Sequence, residues 1–157
     1  MVKVHERLYV GDEGSCRQGS PELAVAHACK SPCHQRSVGY KGSLAQKHPQ
    51  YLALQHSHDL YLNIIDPPLP LFRLETFSHF LSFAEEHHGR GGSLLVHCNQ
   101  GESRSPSLAL LFLAKRLGAI PGESFPAAEA AFVTLYAKYR PGQGIRQSLT
   151  EKWGLLD

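Results

Sequence analysis

The stretch SLLVHCNQGESRSPSLALLFLAKRLG, residues 93 to 118, decides how the rest of the chain is read. Ser93 to His97 is an apolar run too short for a helix and suits a buried strand. Nine residues of polar loop follow from His97 to Ser105, with Gly101 at their centre. From Pro106 to Leu117 the chain is apolar almost throughout, as expected of a helix in the middle of a domain, and Gly118 closes it. Strand, tight loop and helix in that order place Cys98 at the carboxyl end of a strand. Open α/β sheets bind ligands at that edge.

The flanking sequence supplies further alternating elements. Arg7 to Gly11 reads as a first strand, and Leu23 to Cys29 suits either strand or helix. Asp59 to Asp66 reads as a strand stopped by Pro67 and Pro68. Leu71 to His88 carries helical spacing and ends at Gly89, Gly91 and Gly92. Glu123 to Tyr139 is expected to be an amphipathic helix with Pro126 in its first turn, and Ile145 to Trp153 a short last one. The expectation is an α/β fold, a central largely parallel sheet flanked by helices. Ser31 to Gln55 is polar and without clear periodicity, the kind of long loop that is often functional. No repeat or low-complexity tract interrupts the chain.

Composition narrows the function. A chain of 157 residues suits one domain, and 42% apolar with 19% charged residues argues against disorder. Sixteen Lys and Arg against fourteen Asp and Glu give a net +2 with His neutral, too little to imply a nucleic-acid or membrane partner. No apolar run approaches the ~20 residues of a membrane span, and MVKVHERLYV lacks the pattern of a signal peptide. Four cysteines suggest no disulfide scaffold. A reducing, cytoplasmic setting and a monomer are expected.

The loop has the chemistry of an anion site. Backbone N–H groups at Asn99, Gln100, Gly101, Glu102, Ser103 and Arg104 can curl around phosphoryl oxygens at a helix amino end, where the dipole is positive. Arg104 adds a planar fork that grips two oxygens at once. The same field favours a thiolate nucleophile at Cys98. Ser105 can donate its hydroxyl to that sulfur, or serve as the helix N-cap.

HCNQGESRS resembles the His-Cys-x5-Arg-Ser/Thr signature of the protein tyrosine phosphatase superfamily, and is most similar to its dual-specificity branch, in which Arg-Ser-Pro leads into an apolar helix. RLYVGD near the start, DLYLNIID, and Arg140-Pro141 extend the likeness over most of the chain; Ser31 to Gln55 does not align. The resemblance implies one phosphatase domain over residues 1–157. It would hydrolyse phosphate monoesters, chiefly phosphotyrosine or phosphoserine and phosphothreonine in proteins, through a phosphocysteine on Cys98. Arg104 would bind the phosphoryl group, Asp66 would be general acid and base, and His97 would support the loop. Asp66 alternatively caps the turn before Pro67. Of Asp59 and Asp66, which bracket one strand, only Asp66 stands at the carboxyl end and can share an edge with Cys98 in a parallel sheet. Glu102 departs from the lysine-bearing loops of lipid-phosphate members and weighs against polyanionic substrates.

Other classes compete. A phosphate-binding module without turnover would lack the nucleophile or the arginine. A rhodanese-like sulfur transferase would not account for Asp66 or Ser105-Pro106. A phosphatase acting on a non-protein ester stays open. His27, Cys29, Cys33 and His34 have the residue types of a structural zinc site. Buried cysteine is common without metal and the resemblance supplies none, so no metal or cofactor is expected.

Overall fold

The run Ser93–His97 is a strand, β6, at the centre of a six-stranded sheet. The others are β1 (Val2–His5), β2 (Leu8–Gly11), β3 (Leu23–His27), β4 (Ala53–His56) and β5 (Asp59–Leu62), in the spatial order β1-β2-β6-β3-β5-β4. The computed structural model describes all of residues 1–157. β2, β6, β3 and β5 are parallel, whereas the edge strands β1 and β4 pair antiparallel with β2 and β5. The sheet is therefore mixed around a parallel centre.

Both edge strands come from two-residue hairpin turns, Glu6–Arg7 and Ser57–His58, in which Arg7 (φ 58°) and Ser57 (φ 56°) take left-handed conformations. Arg7 also donates to the carbonyls of His88 and Gly92, both at 2.7 Å. That cation satisfies carbonyls at the carboxyl end of the helix α2 (Leu74–Gly89). Leu23–His27 is settled as a strand.

Parallel register aligns Gly11, His97, His27 and Tyr61 across the carboxyl edge. Side chains alternate between the two faces. Leu8, Val10, Ala24, Ala26, Leu60, Leu62, Leu94 and Val96 share the large core with α2 and with α3 (Arg104–Lys115). Phe77, Phe80, Phe83 and Phe112 fill it, each burial stabilising by ~1.5–3 kcal/mol. The opposite face carries Val25, Leu95, His27, His97 and Asp59, all buried. Its cover is thin. A tight turn at Glu13–Ser15, the segment up to Gly19, a second turn at Lys30–His34 and the one-turn helix α1 (Gln35–Val38) lie there.

Several boundaries differ from expectation. Helix α3 starts at Arg104, two residues before Pro106, which a first-turn position accommodates. Ser105 is thus inside the helix, and the N-cap is Ser103. The expected helix Glu123 to Tyr139 is only α4, Phe125–Phe132. There the β-branched pair Val133-Thr134 begins a run of turns, and Thr134 Oγ1 donates to Ala131 O at 2.7 Å. These turns bring Tyr136 and Tyr139 inward, and both are buried. The last helix, α5, spans Gln143–Lys152. Ser31 to Gln55 is not featureless, since it contains α1 and the start of β4. β5 ends at Leu62, so Asp66 lies on a loop rather than within a strand. No helix is long and apolar enough to cross a membrane.

Candidate active site

Cys98 follows β6 directly and is 2% exposed at the base of a cavity of about 240 Å³. Asp66, Asn99, Gln100, Glu102, Ser103, Arg104 and Arg140 line the rest. The fold therefore gathers the loop around Cys98 together with Asp66 from the loop after β5. Arg140, from the turn after α4, carried no assigned role in the sequence; its only signal was the Arg-Pro pair near the end of the chain.

The sulfur has polar neighbours on two sides. Gly101 N donates to Cys98 Sγ at 3.3 Å, and Ser105 Oγ lies 3.1 Å from it. Gly101 has φ +71°, and a Cβ there would come within 3.2 Å of Gly11 O and 3.3 Å of Asp12, so a side chain would be both strained and crowded. Tyr136 braces this turn by donating its hydroxyl to Gly101 O at 2.6 Å. Burial, with Cys98 and the carboxylates of Asp12 and Glu102 nearby, pushes the Tyr136 phenol up to about 12.

Arg104 is held from two directions. It donates from Nη1 to Ile64 O at 3.1 Å and from Nη2 to Asn99 Oδ1 at 2.8 Å. Asn99 in turn donates to Ser31 O at 3.0 Å. Three of the five guanidinium hydrogens remain for an anion. Asp66 Oδ1 accepts from Ser103 Oγ at 3.0 Å, and the same hydroxyl accepts from Gly142 N at 2.8 Å. Ser103 thereby links the loop, the Asp66 segment and the start of α5.

Asp59 stands elsewhere. It is buried on the thin-covered face and accepts from Gly19 N at 2.9 Å and from His27 Nε2 at 2.7 Å. His97 also turns to that face. Its Nε2 lies 2.7 Å from His27 Nδ1, while its Nδ1 lies 3.4 Å from Cys98 O. Burial, then the neighbouring His27, lowers His97 to about 4, so the ring is neutral at physiological pH. The HxCxxxCH residues do not come together as one group. His34 is engaged with the Tyr40 hydroxyl at 2.7 Å and with Gln50 O at 2.8 Å.

No protein-family model matches the chain, and no curated protein sequence does. Its fold is that of the cysteine-dependent phosphatases of the dual-specificity type. The human tyrosine phosphatase-like serine/threonine/tyrosine-interacting protein superposes with a TM-score of 0.67 at 18% identity, over 98% of this chain and 95% of that one. Human DUSP28 gives 0.65 at 17% identity over 99% and 97%. The PTP-2 phosphatase of Cydia pomonella gives 0.63 at 15% identity over 96% and 88%.

Proposed function

We propose that residues 1–157 form one phosphatase domain that hydrolyses phosphate monoesters, in proteins or in smaller molecules, through a phosphocysteine on Cys98. The observation that carries this reading is the meeting of Cys98 Sγ, the Ser105 hydroxyl and the Gly101 amide at the base of a cavity that Arg104 and Asp66 share. Cys98 attacks phosphorus as the thiolate, and the P–O bond to the leaving alcohol breaks. Asp66 gives that oxygen its proton. Arg104 and the loop amides hold the three equatorial oxygens and carry their charge. Asp66, now a carboxylate, then takes a proton from a water, which attacks phosphorus and expels the sulfur as thiolate. Ser105 donates to the departing sulfur.

The test is release of inorganic phosphate from p-nitrophenyl phosphate by the wild-type chain and by Cys98→Ser and Arg104→Lys. Turnover by wild type alone is expected, with Cys98→Ser still binding vanadate because its cradle is intact. Vanadate binding without turnover by wild type would instead make the chain a binding module.

A further inference from the structure

On the thin-covered face of the sheet, Cys16 Sγ, Cys33 Sγ and one ring nitrogen each from His27 and His97 lie within 4.8 Å of one another. They come from four segments. His27 and His97 are register partners at the ends of β3 and β6. Cys16 follows the turn Glu13–Ser15, and Cys33 lies in the turn before α1. The set keeps His27 and Cys33 of the HxCxxxCH motif and replaces Cys29 and His34 by Cys16 and His97.

Each imidazole turns one nitrogen into the group and faces an oxygen with the other. His27 presents Nδ1, with Nε2 on Asp59 Oδ1 at 2.7 Å, and Tyr61 stacks on its ring at 4.4 Å. His97 presents Nε2, with Nδ1 facing Cys98 O at 3.4 Å. A carboxylate or carbonyl behind each histidine is what fixes ring orientation and tautomer at metal sites. Separations are close to those needed. Tetrahedral zinc with Zn–N ~2.0–2.1 Å and Zn–S ~2.3 Å sets N···S near ~3.5 Å and N···N near ~3.3 Å. Cys16 Sγ is 3.7 Å from His27 Nδ1, and the two ring nitrogens, 2.7 Å apart, share a hydrogen that a metal would displace. The rings need part by only ~0.6 Å.

Charge and location also fit. Two thiolates neutralise a divalent cation, so a filled site brings no net charge into a buried place. His27, His97 and Cys33 are buried, whereas Cys16 is exposed and leaves a path inward. The segments they belong to cover the sheet with turns and a single helical turn, the setting in which metal binding adds folding energy that packing does not.

We propose that Cys16, His27, Cys33 and His97 form a structural zinc site that pins the segments around Cys16 and Cys33 to the sheet. On binding, the two thiols each release a proton. The proton between the rings leaves His97 Nε2 while Nδ1 takes one up, so that Nδ1–H donates to Cys98 O. The metal lies behind the phosphate loop and does not touch the Cys98 sulfur.

The experiment titrates the full chain, reduced, with four free thiols counted and reductant removed, using Co²⁺ and then Zn²⁺. One equivalent of Co²⁺ should give the visible bands of tetrahedral cobalt with a thiolate charge-transfer band. One equivalent of Zn²⁺ should displace it, release two protons and raise Tm. Cys16→Ser and Cys33→Ser should each weaken zinc binding by at least the ~10–100-fold typical of losing an outer-shell partner. Cys29→Ser and Cys98→Ser should keep one equivalent bound. Cys16 is exposed, so Cys16→Ser stays informative if Cys33→Ser does not fold. Absence of metal uptake by the four-thiol protein overturns the proposal. So does uptake that survives Cys16→Ser, or that is lost with Cys98→Ser.

Discussion

Ser105 Oγ lies 3.1 Å from Cys98 Sγ and 3.1 Å from Gly11 O, and its one proton serves only one of them at a time. With Cys98 as a thiol, the sulfur donates to Ser105 and Ser105 donates to Gly11 O. With a thiolate, the hydroxyl turns to sulfur, and Gly11 O keeps Cys98 N at 3.3 Å. In the proposed mechanism this turn of the Ser105 hydroxyl helps the sulfur leave phosphorus. Ser105→Ala should slow phosphocysteine hydrolysis by about 10–100-fold, the value of one hydrogen bond to a charged group. Stopped-flow assays should show a burst of p-nitrophenol before a slow steady state. An unchanged steady-state rate would remove Ser105 from the second step.

Asp66 is positioned by its neighbours as much as by its own loop. A side chain on Gly142 would put its Cβ 2.6 Å from Asp66 Oδ1, so the amino end of α5 sets how far the carboxylate can swing. Asp66→Asn should lower kcat by about 10²–10³-fold, within or near the range for acid catalysis. The loss should be larger for phosphotyrosine than for an activated ester. Gly142→Ala should give a milder loss with the same leaving-group dependence. Asp59→Asn should leave that dependence intact and lower Tm, because it weakens a buried acceptor of Gly19 and His27. A plot of log kcat against leaving-group pKa distinguishes the three variants.

Glu102 and Arg140 face one cavity, and Arg140 N donates to Glu102 O at 2.7 Å. Both side chains line it and contribute opposite charges to it. Glu102→Lys should improve KM for multiply phosphorylated substrates more than for p-nitrophenyl phosphate, and the gain should shrink as salt rises. Equal effects on both substrates would take Glu102 out of substrate discrimination.

Tyr136 couples titration to the loop. Its folded-state phenol, raised to about 12, keeps a proton that the unfolded chain loses near pH ~10. The stability it contributes is present below pH ~10 and is lost as pH rises toward about 12. Ultraviolet titration should show this late-ionising tyrosine and its disappearance in Tyr136→Phe. That variant leaves Gly101 O without its donor, so stability should fall by ~1–3 kcal/mol and KM should rise. A Tyr136→Phe spectrum identical to wild type would contradict this.

The stretch around Cys98 was legible in the sequence because its parts are consecutive: β6 matches the expected strand residue for residue, and α3 begins and ends two residues before the expected helix. Asp66 was legible as the residue at a strand's carboxyl end, although β5 stops four residues earlier and leaves it on the following loop. What escaped depends on contacts between distant segments. β1 and β4 are four-residue edge strands with polar residues, and only their hairpin partners define them. The turns after Phe132 interrupt a good helical pattern because Tyr136 finds Gly101 and Tyr139 finds the core. His97 joins His27 through the parallel register of β3 and β6, and Cys16 and Cys33 reach the pair from two separate turns that cover that face. A local motif search could therefore name two of those four and no more.

The central claim is that the phosphoryl group passes through the Cys98 sulfur. Acid quenching during turnover of p-nitrophenyl phosphate, followed by peptide mass spectrometry under conditions that preserve thiophosphate esters, tests it directly. A phosphoryl adduct on the peptide containing Cys98, enriched in Ser105→Ala and absent from Cys98→Ser, is the expected result. Phosphate release by Cys98→Ser at the wild-type rate, or an adduct on another residue in place of Cys98, would contradict the account.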